Sequence, residues 1–151
     1  MTRPPAPRLT PTTRTTAVAA VALAVSLLLG GCLSVGQRNA YDALQNDRRA
    51  HGRRTLPTQA SAQRKAQAWA NQLARENRLR HSTLASGINV RWCNIGENVG
   101  VGGTTTAVQR GFMGSSAHRA NVLSTTWNGV GVGVARNGSR VFVVHVFIRT
   151  C

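Results

Sequence analysis

The stretch GVGVGVARNGSRVFVVHVFI, residues 129–148, decides the fold. Its first part alternates glycine and valine with the period of two that is typical of a strand, and Asn137-Gly138 is a strong signal for a tight type I′ turn. After the turn, residues 141–148 are almost continuously apolar. We therefore predict a β-hairpin whose second strand is buried on both faces.

A strand that is buried on both faces needs cover from both sides, and the upstream sequence supplies helices. A helix over residues 38–51, ended by Gly52, places apolar side chains on one face. A second helix begins after Pro57 with Thr58 as its N-cap. Its buried stripe repeats at intervals of three and four and comprises Ala62, Ala66, Trp69, Ala70, Leu73 and Ala74. The sequence thus predicts an α/β fold in which helices sandwich a small, mainly antiparallel sheet.

Between the long helix and the hairpin the pattern is weaker. Residues 83–103 are rich in glycine, serine and asparagine, and we interpret them as irregular chain with one short strand near residues 88–92. Two short helices follow. One is capped by a threonine within residues 104–106 and runs through Phe112, and the other is capped by Ser115 or Ser116 and runs to Leu123.

The first 31 residues are typical of a signal peptide, with Arg3, Arg8 and Arg14 before an apolar run over residues 17–29 that is short for a membrane span. The run ends in Leu29-Gly30-Gly31-Cys32, which resembles the bacterial lipobox. We therefore predict lipidation of Cys32, a linker over residues 33–37 and a single domain over residues 38–151. The alternative is ordinary secretory cleavage, with Cys32 discarded or free.

Export also bears on the other two cysteines. Cys93 and Cys151 form an even pair in a chain directed to an oxidising compartment, and we expect them to form a disulfide. The alternative is that Cys93 is a catalytic thiolate beside a histidine.

The mature part is strongly basic, with 16 basic side chains against 4 acidic ones and a net charge of +12. Nucleic acid is a poor partner, because the basic residues are dispersed and show little aromatic interleaving, and because export removes the protein from the cytoplasm. Anionic lipid head groups or phosphate-bearing wall polymers fit this charge. A merely solvated basic surface remains an alternative, since 18 of the 19 basic residues are arginine.

Four motifs occur in a fixed order: His81-Ser82, Gly96-Glu97-Asn98, SAHRANVL at residues 116–123, and Gly-Val-Gly-Val-Gly at residues 129–133. Further upstream matches are Asn46, Arg48, Gly52, Leu56, Ala66, Trp69, Ala70 and Leu73. Together they resemble the bacterial branch of the CAP superfamily, which comprises cysteine-rich secretory proteins, insect venom antigens and plant pathogenesis-related proteins. The resemblance covers about residues 38–148.

The resemblance implies an α-β-α sandwich with a surface cleft, in which two histidines and two acidic residues converge on a centre able to hold Zn²⁺ or another divalent cation. His81, Glu97 and His118 match three of these positions, and Asn98 and Arg119 would belong to the same ligand cleft. The second acidic residue is missing, because residues 99–117 contain neither aspartate nor glutamate. Gln109, Ser115 or Ser116 would face the cleft instead, and we predict a three-residue site with modest metal affinity or none.

Individual roles follow for the site. Gly96 would let the backbone turn and Asn98 would fix the loop, so that Glu97 is aimed at the two imidazoles. Arg119 would pair with Glu97 or a bound anion, or else remain exposed on its helix. His145 is predicted to be a satisfied core histidine rather than a ligand.

Three functions stay open. The first is a binding module, anchored on the outer side of the membrane, for a lipid-like or wall-derived ligand. The second is a metal-assisted hydrolase in which His81 and His118 hold the cation and Glu97 is the base, although neither a G-x-S-x-G nor an HExxH motif is present. The third is a structural envelope protein that binds through its charge. We predict the binding module rather than an enzyme.

Overall fold

A computed structural model describes residues 33–151. The predicted signal peptide and Cys32 lie outside the described residues. The described chain contains four helices and three strands, in the order α1 (Val35–Ala50), α2 (Ala60–Glu76), β1 (Trp92–Gly102), α3 (Thr105–Gly114), α4 (Ser116–Leu123), β2 (Gly129–Asn137) and β3 (Arg140–Thr150). None of the helices in residues 33–151 has the length and hydropathy that a membrane crossing requires.

The three strands form one antiparallel sheet in the order β1-β3-β2, so the predicted hairpin is confirmed and β3 is the central strand. Residues 141–148 are all buried. Phe142, Val144, Val146 and Ile148 pack on one side, in a core with α2. The alternate residues pack on the other side against α1, α3 and α4. The α-β-α sandwich therefore forms as the sequence predicts.

Helix α2 lies directly on strand β2 because two strand residues lack a side chain. A Cβ atom at Gly131 would overlap the backbone of Ala62, and one at Gly133 would overlap the backbone of Ala66. Ala62 and Ala66 are themselves fully buried. The alternating glycines of residues 129–133 thus allow helix and strand backbones to touch, which any larger residue would prevent.

Two glutamines of α2 also cover the free edge of β2. Gln63 accepts a hydrogen bond from the Val132 amide at 2.8 Å and donates one to the Val132 carbonyl at 2.7 Å. Gln67 pairs in the same way with both backbone groups of Val134, at 3.0 and 2.9 Å. The side chains act as a substitute strand, so the edge of β2 is satisfied without another chain.

The expectation of irregular chain is confirmed for residues 83–91 but is wrong for residues 92–102, because β1 runs from Trp92 to Gly102 and contains the Gly-Glu-Asn motif. The short strand expected near residues 88–92 therefore begins later and is longer. Neighbouring side chains fill the space at its glycines. A Cβ at Gly96 would lie 3.1 Å from the Trp127 ring, and one at Gly100 would lie 2.6 Å from Val108. These glycines serve close packing within a strand rather than a turn, so tertiary contacts override their low strand propensity.

The capping residues of three helices differ in how well they match the prediction. Helix α1 begins at Val35, inside the stretch assigned to a linker, because Ser34 and Gln37 form a reciprocal capping box. The N-cap of α2 is Gln59 rather than Thr58, and Thr58 instead forms a bridge to Val130. Thr104 caps α3 as predicted.

The predicted disulfide between Cys93 and Cys151 is confirmed, with the two Cα atoms 5.3 Å apart. It ties the start of β1 to the residue that follows β3. Neither cysteine is therefore a free thiolate.

We predict that Gly131→Ala destabilises the domain by at least about 3 kcal/mol, because the added methyl group must push the α2 backbone away from β2. Urea unfolding followed by circular dichroism would measure the change. The matched control is Gly111→Ala in α3, where a Cβ meets no atom within 4 Å. We expect the control to be more stable than the parent by about 0.5 to 1 kcal/mol. An unchanged midpoint for Gly131→Ala would contradict the packing argument.

Candidate functional site

Glu97 is the centre of a buried hydrogen-bond cluster. Its side chain is only 2% exposed. The Oε1 atom accepts hydrogen bonds from His81 Nδ1 at 2.8 Å and from the Ser82 amide at 2.9 Å, and Oε2 accepts one from the Ser82 hydroxyl at 2.6 Å. Three donors therefore hold the carboxylate in place, and the predicted contact between His81 and Glu97 is formed.

His81 lies on the loop after α2, and its side chain is 60% exposed. Because Nδ1 faces Glu97, Nε2 is the ring nitrogen left for a ligand. A carboxylate behind one ring nitrogen fixes the tautomer and the orientation of the imidazole. Glu97 thus positions His81 rather than facing the solvent itself.

Lys65 holds the loop that follows His81. Its ammonium group donates hydrogen bonds to the carbonyls of Thr83 and Ser86, both at 2.9 Å. Burial lowers the pKa of Lys65, and the nearby Glu97 charge partly opposes that shift. Lys65 is not among the site residues predicted from the sequence. The sequence feature that singles it out is that Lys65 is the one lysine of the chain and lies within the apolar stripe of α2, four residues before Trp69.

Trp69 and Arg80 form one wall of a surface groove of about 430 Å³. The indole Nε1 of Trp69 donates to the Arg80 carbonyl at 3.1 Å, and the guanidinium lies 4.3 Å from the centre of the indole ring. Arg80 also pairs with Glu76 at 2.8 Å. Trp69 contacts the core beside α2, as predicted, but it is only partly buried and also lines this groove. His81, Ser82 and Thr83 line the groove beside it.

Asn98 points to the opposite face of β1 from Glu97, since successive strand residues alternate. Its amide donates to the His118 carbonyl at 3.0 Å and accepts a hydrogen bond from Asn121 at 2.9 Å. Asn98 is fully buried. The expectation that Asn98 and Gly96 aim Glu97 in a loop is therefore wrong, because Asn98 fixes helix α4 and Gly96 accommodates Trp127.

His118 is half-buried at the start of α4, and the centre of its ring lies 5.2 Å from the centre of the Phe112 ring. Its pKa is lowered, first by burial and then by the charge of His81. The two imidazoles are therefore close enough to interact electrostatically. Within residues 33–151, however, no three His, Cys, Asp or Glu side chains converge closely enough to hold a metal ion.

One of the residues expected in place of the missing carboxylate is engaged by helix α1 instead. Gln109 is buried, and its amide donates to Asp47 of α1 at 2.7 Å. Ser115 is the N-cap of α4 without a side-chain capping bond. Arg119 is exposed, and in the described part of the chain Glu97 is hydrogen-bonded to His81 instead.

His145 is fully buried on β3, as predicted, with its ring 5.0 Å from Phe112 and 5.8 Å from Phe147. Contrary to the prediction that it is satisfied, neither ring nitrogen has a protein hydrogen-bond partner within residues 33–151. Burial, with a smaller contribution from the charge of His118, lowers its pKa to about 3.

Comparisons with known proteins agree with this architecture. The family model described as CAP, the cysteine-rich secretory protein family, matches residues 41–148. An extracellular protein with an SCP domain from Bacillus anthracis is similar at 23% identity and a TM-score of 0.64, over 79% of this chain and 45% of that one. An outer surface protein from Borrelia burgdorferi is similar at 14% identity and a TM-score of 0.69, over 82% of this chain and 100% of that one.

A third similar structure is venom allergen-like protein 4 from Schistosoma mansoni, at 16% identity and a TM-score of 0.64, over 78% of this chain and 90% of that one. At such identities the structural likeness establishes the fold alone. Among proteins with curated functions, none matches this sequence.

We predict that His145 makes the domain acid-sensitive. Its folded pKa of about 3 lies below the ordinary value of 6.5, so the unfolded chain binds the proton first and stability falls as pH drops from 6.5 towards 3. The loss is about 1.4 kcal/mol per pH unit. Urea unfolding at neutral pH and at pH about 4.5 should show that His145→Leu removes about 2 to 3 kcal/mol of this loss.

The control for this measurement is His51→Leu, which changes an exposed histidine at the end of α1. It should retain the acid sensitivity of the parent. Equal pH dependence in the parent and His145→Leu would contradict the assignment.

Proposed function

The chain belongs to the cysteine-rich secretory protein family, and on that premise we propose that it is an exported envelope protein whose CAP domain acts as a binding module. The signal-like leader supports export, as do relatives from extracellular and outer-surface locations. Lipidation of Cys32 would anchor the domain on the outer side of the membrane.

The observation that carries the proposal is the groove between Trp69, Arg80 and His81. Its rim offers the free Nε2 of His81 and the hydroxyl of Thr83 beside an aromatic ring. Sugar hydroxyls and amides can satisfy such groups, whereas an alkyl chain would leave them desolvated. The lining therefore favours a polar, wall-derived ligand over a lipid chain.

The hydrogen bonds of Glu97 favour binding over hydrolysis. A general base needs a free oxygen within reach of the proton that it removes. Both oxygens of Glu97 already accept bonds from His81 or Ser82, and the side chain is almost fully buried. We therefore derive no hydrolytic step from this site.

We predict that soluble muropeptides released from peptidoglycan bind the mature chain, residues 32–151 with Cys32→Ser, at one saturable site. His81→Ala should weaken this binding about tenfold, because it removes a hydrogen-bonding group from the groove. Isothermal titration calorimetry would measure the affinity. His51→Ala removes a histidine remote from the groove lining and should bind like the parent.

The dependence of the affinity on ionic strength distinguishes this proposal from binding through the basic charge alone. Muropeptide binding in the groove should persist at high ionic strength, whereas binding by the net charge of +12 would weaken steeply. Binding that is abolished by salt and unaffected by His81→Ala would support the structural envelope protein instead. Saturable binding of a fatty acid but not of muropeptides would contradict the choice of ligand.

A divalent metal is a second proposal for the same site, with His81 and His118 as ligands and Glu97 behind His81. The favouring observation is the His81–Glu97 hydrogen bond, the arrangement that commonly orients a metal-binding imidazole. A Zn²⁺ ion held there would supply a Lewis acid to a bound ligand. Glu97 itself fits poorly as a direct metal ligand, because its two oxygens already accept three hydrogen bonds.

We predict weak Zn²⁺ binding that is lost in the double variant His81→Ala/His118→Ala. Calorimetric titration would detect it, and His51→Ala should leave it unchanged. Because only two imidazoles serve as ligands, the affinity should fall well below that of a structural zinc site. An unchanged titration in the double variant would rule out this site.

A further inference from the structure

The domain begins almost immediately after the proposed lipid anchor, and this inference rests on that part of the proposed function. In the sequence, only Leu33 separates Cys32 from Ser34, the N-cap of α1. Two extended residues span at most about 7 Å. The capping box makes α1 regular from Val35 onward. A lipid on Cys32 would therefore hold the start of α1 close to the membrane surface.

The start of α1 is fixed against β2 and α2. A Cβ at Gly36 would lie 3.3 Å from the Val134 side chain, so the two backbones are close. Gln37 donates a hydrogen bond to Gln67 of α2 at 2.8 Å. The residues that follow Val134 and Gln67 therefore lie at the anchored end of the domain.

A second groove, of about 560 Å³, lies between the residues that follow Gln67 on α2 and those that follow Val134 on β2. Arg75 of α2 and Arg136 of β2 line it, together with Asn71 and Asn137. Arg136 is two strand residues beyond Val134, or about 7 Å along the strand. The Asn137 amide donates to the Ala74 carbonyl at 2.9 Å, which joins the two walls.

The two arginines of this groove are free to meet external anions. The mature chain has only four carboxylates. Within residues 33–151 Glu76 pairs with Arg80 and Glu97 contacts His81, and neither Arg75 nor Arg136 has an acidic partner there. Both side chains are exposed. Val35, the first residue of α1, is 77% exposed although it is apolar.

We propose that Val35, Arg75 and Arg136 form a membrane-docking surface, on which the two arginines bind the phosphates of anionic lipid head groups. An anionic membrane attracts basic residues near its surface, and a basic patch strengthens attachment through a lipid chain. Docking at this surface sets the orientation of the domain on the membrane. This role uses none of the residues of the His81 groove.

The test uses the mature chain, residues 32–151, with Cys32→Ser, so that binding reports the protein surface without a lipid. Co-sedimentation compares vesicles of pure phosphatidylcholine with vesicles of equal parts phosphatidylcholine and phosphatidylglycerol. We expect preferential binding to the anionic vesicles. The variant Arg75→Gln/Arg136→Gln should bind them about thirtyfold more weakly, from the loss of two surface charges.

The matched control is Arg53→Gln/Arg110→Gln, which removes the same charge. Both of these arginines are exposed. Arg53 follows the far end of α1, about 24 Å along the helix from its start. The control should retain at least half of the parent affinity. Thermal melts of all proteins confirm that folding is equal.

Two outcomes would overturn the proposal. One is no preference of the parent for anionic vesicles, even if soluble teichoic acid binds. The other is an equal loss in both double variants, which would indicate net charge rather than this surface. Failure of the proposed function is distinguishable, because muropeptide titration depends on His81 and mass spectrometry of the exported chain reports lipidation of Cys32.

Discussion

The direct contact between the α2 backbone and strand β2 is the constraint on which the rest of the structure depends. Gly131 and Gly133 leave room for Ala62 and Ala66, so the helix lies closer to the sheet than ordinary side chains permit. This contact fixes how close α2 lies to the sheet and where it lies along β2. It brings Gln63 and Gln67 to the open edge of β2. It also determines where the loop after α2, which carries His81, begins.

The register of α2 also determines the geometry of the groove. Lys65 and Trp69 follow Ala62 and Ala66 on the same helix, and their side chains hold the backbone of the loop that carries His81. Glu97 reaches this loop from the edge strand β1. Because neighbouring residues of a strand face opposite ways, Asn98 reaches the other layer and binds the His118 carbonyl. One dipeptide of β1 thus positions both histidines.

Three of the four acidic side chains hold a neighbouring residue in place. Asp47 accepts a hydrogen bond from Gln109, Glu76 pairs with Arg80, and Glu97 holds His81. With these carboxylates engaged, exposed arginines are available to external anions. The protein therefore separates two kinds of surface: a polar groove beside a buried carboxylate, and a basic surface at the start of α1. On this chemistry we base the two proposed partners, a wall-derived ligand for the groove and anionic lipid for the basic surface.

The sequence by itself determined the hairpin, the long helix and the disulfide pair, whereas the contact between His81 and Glu97 was implied only by the family resemblance. Periodicity and motif order depend on local spacing, which a single chain displays directly. Only the tertiary structure decided that residues 92–102 form a strand, since the space around Gly96 and Gly100 is filled by Trp127 and Val108 from distant elements. The same holds for Lys65 and for His145, whose ring nitrogens have no protein partner within residues 33–151, because the surroundings of both come from residues far apart in the chain. Burial and hydrogen-bond partners arise when separate elements pack together, and the local pattern of residues does not encode them.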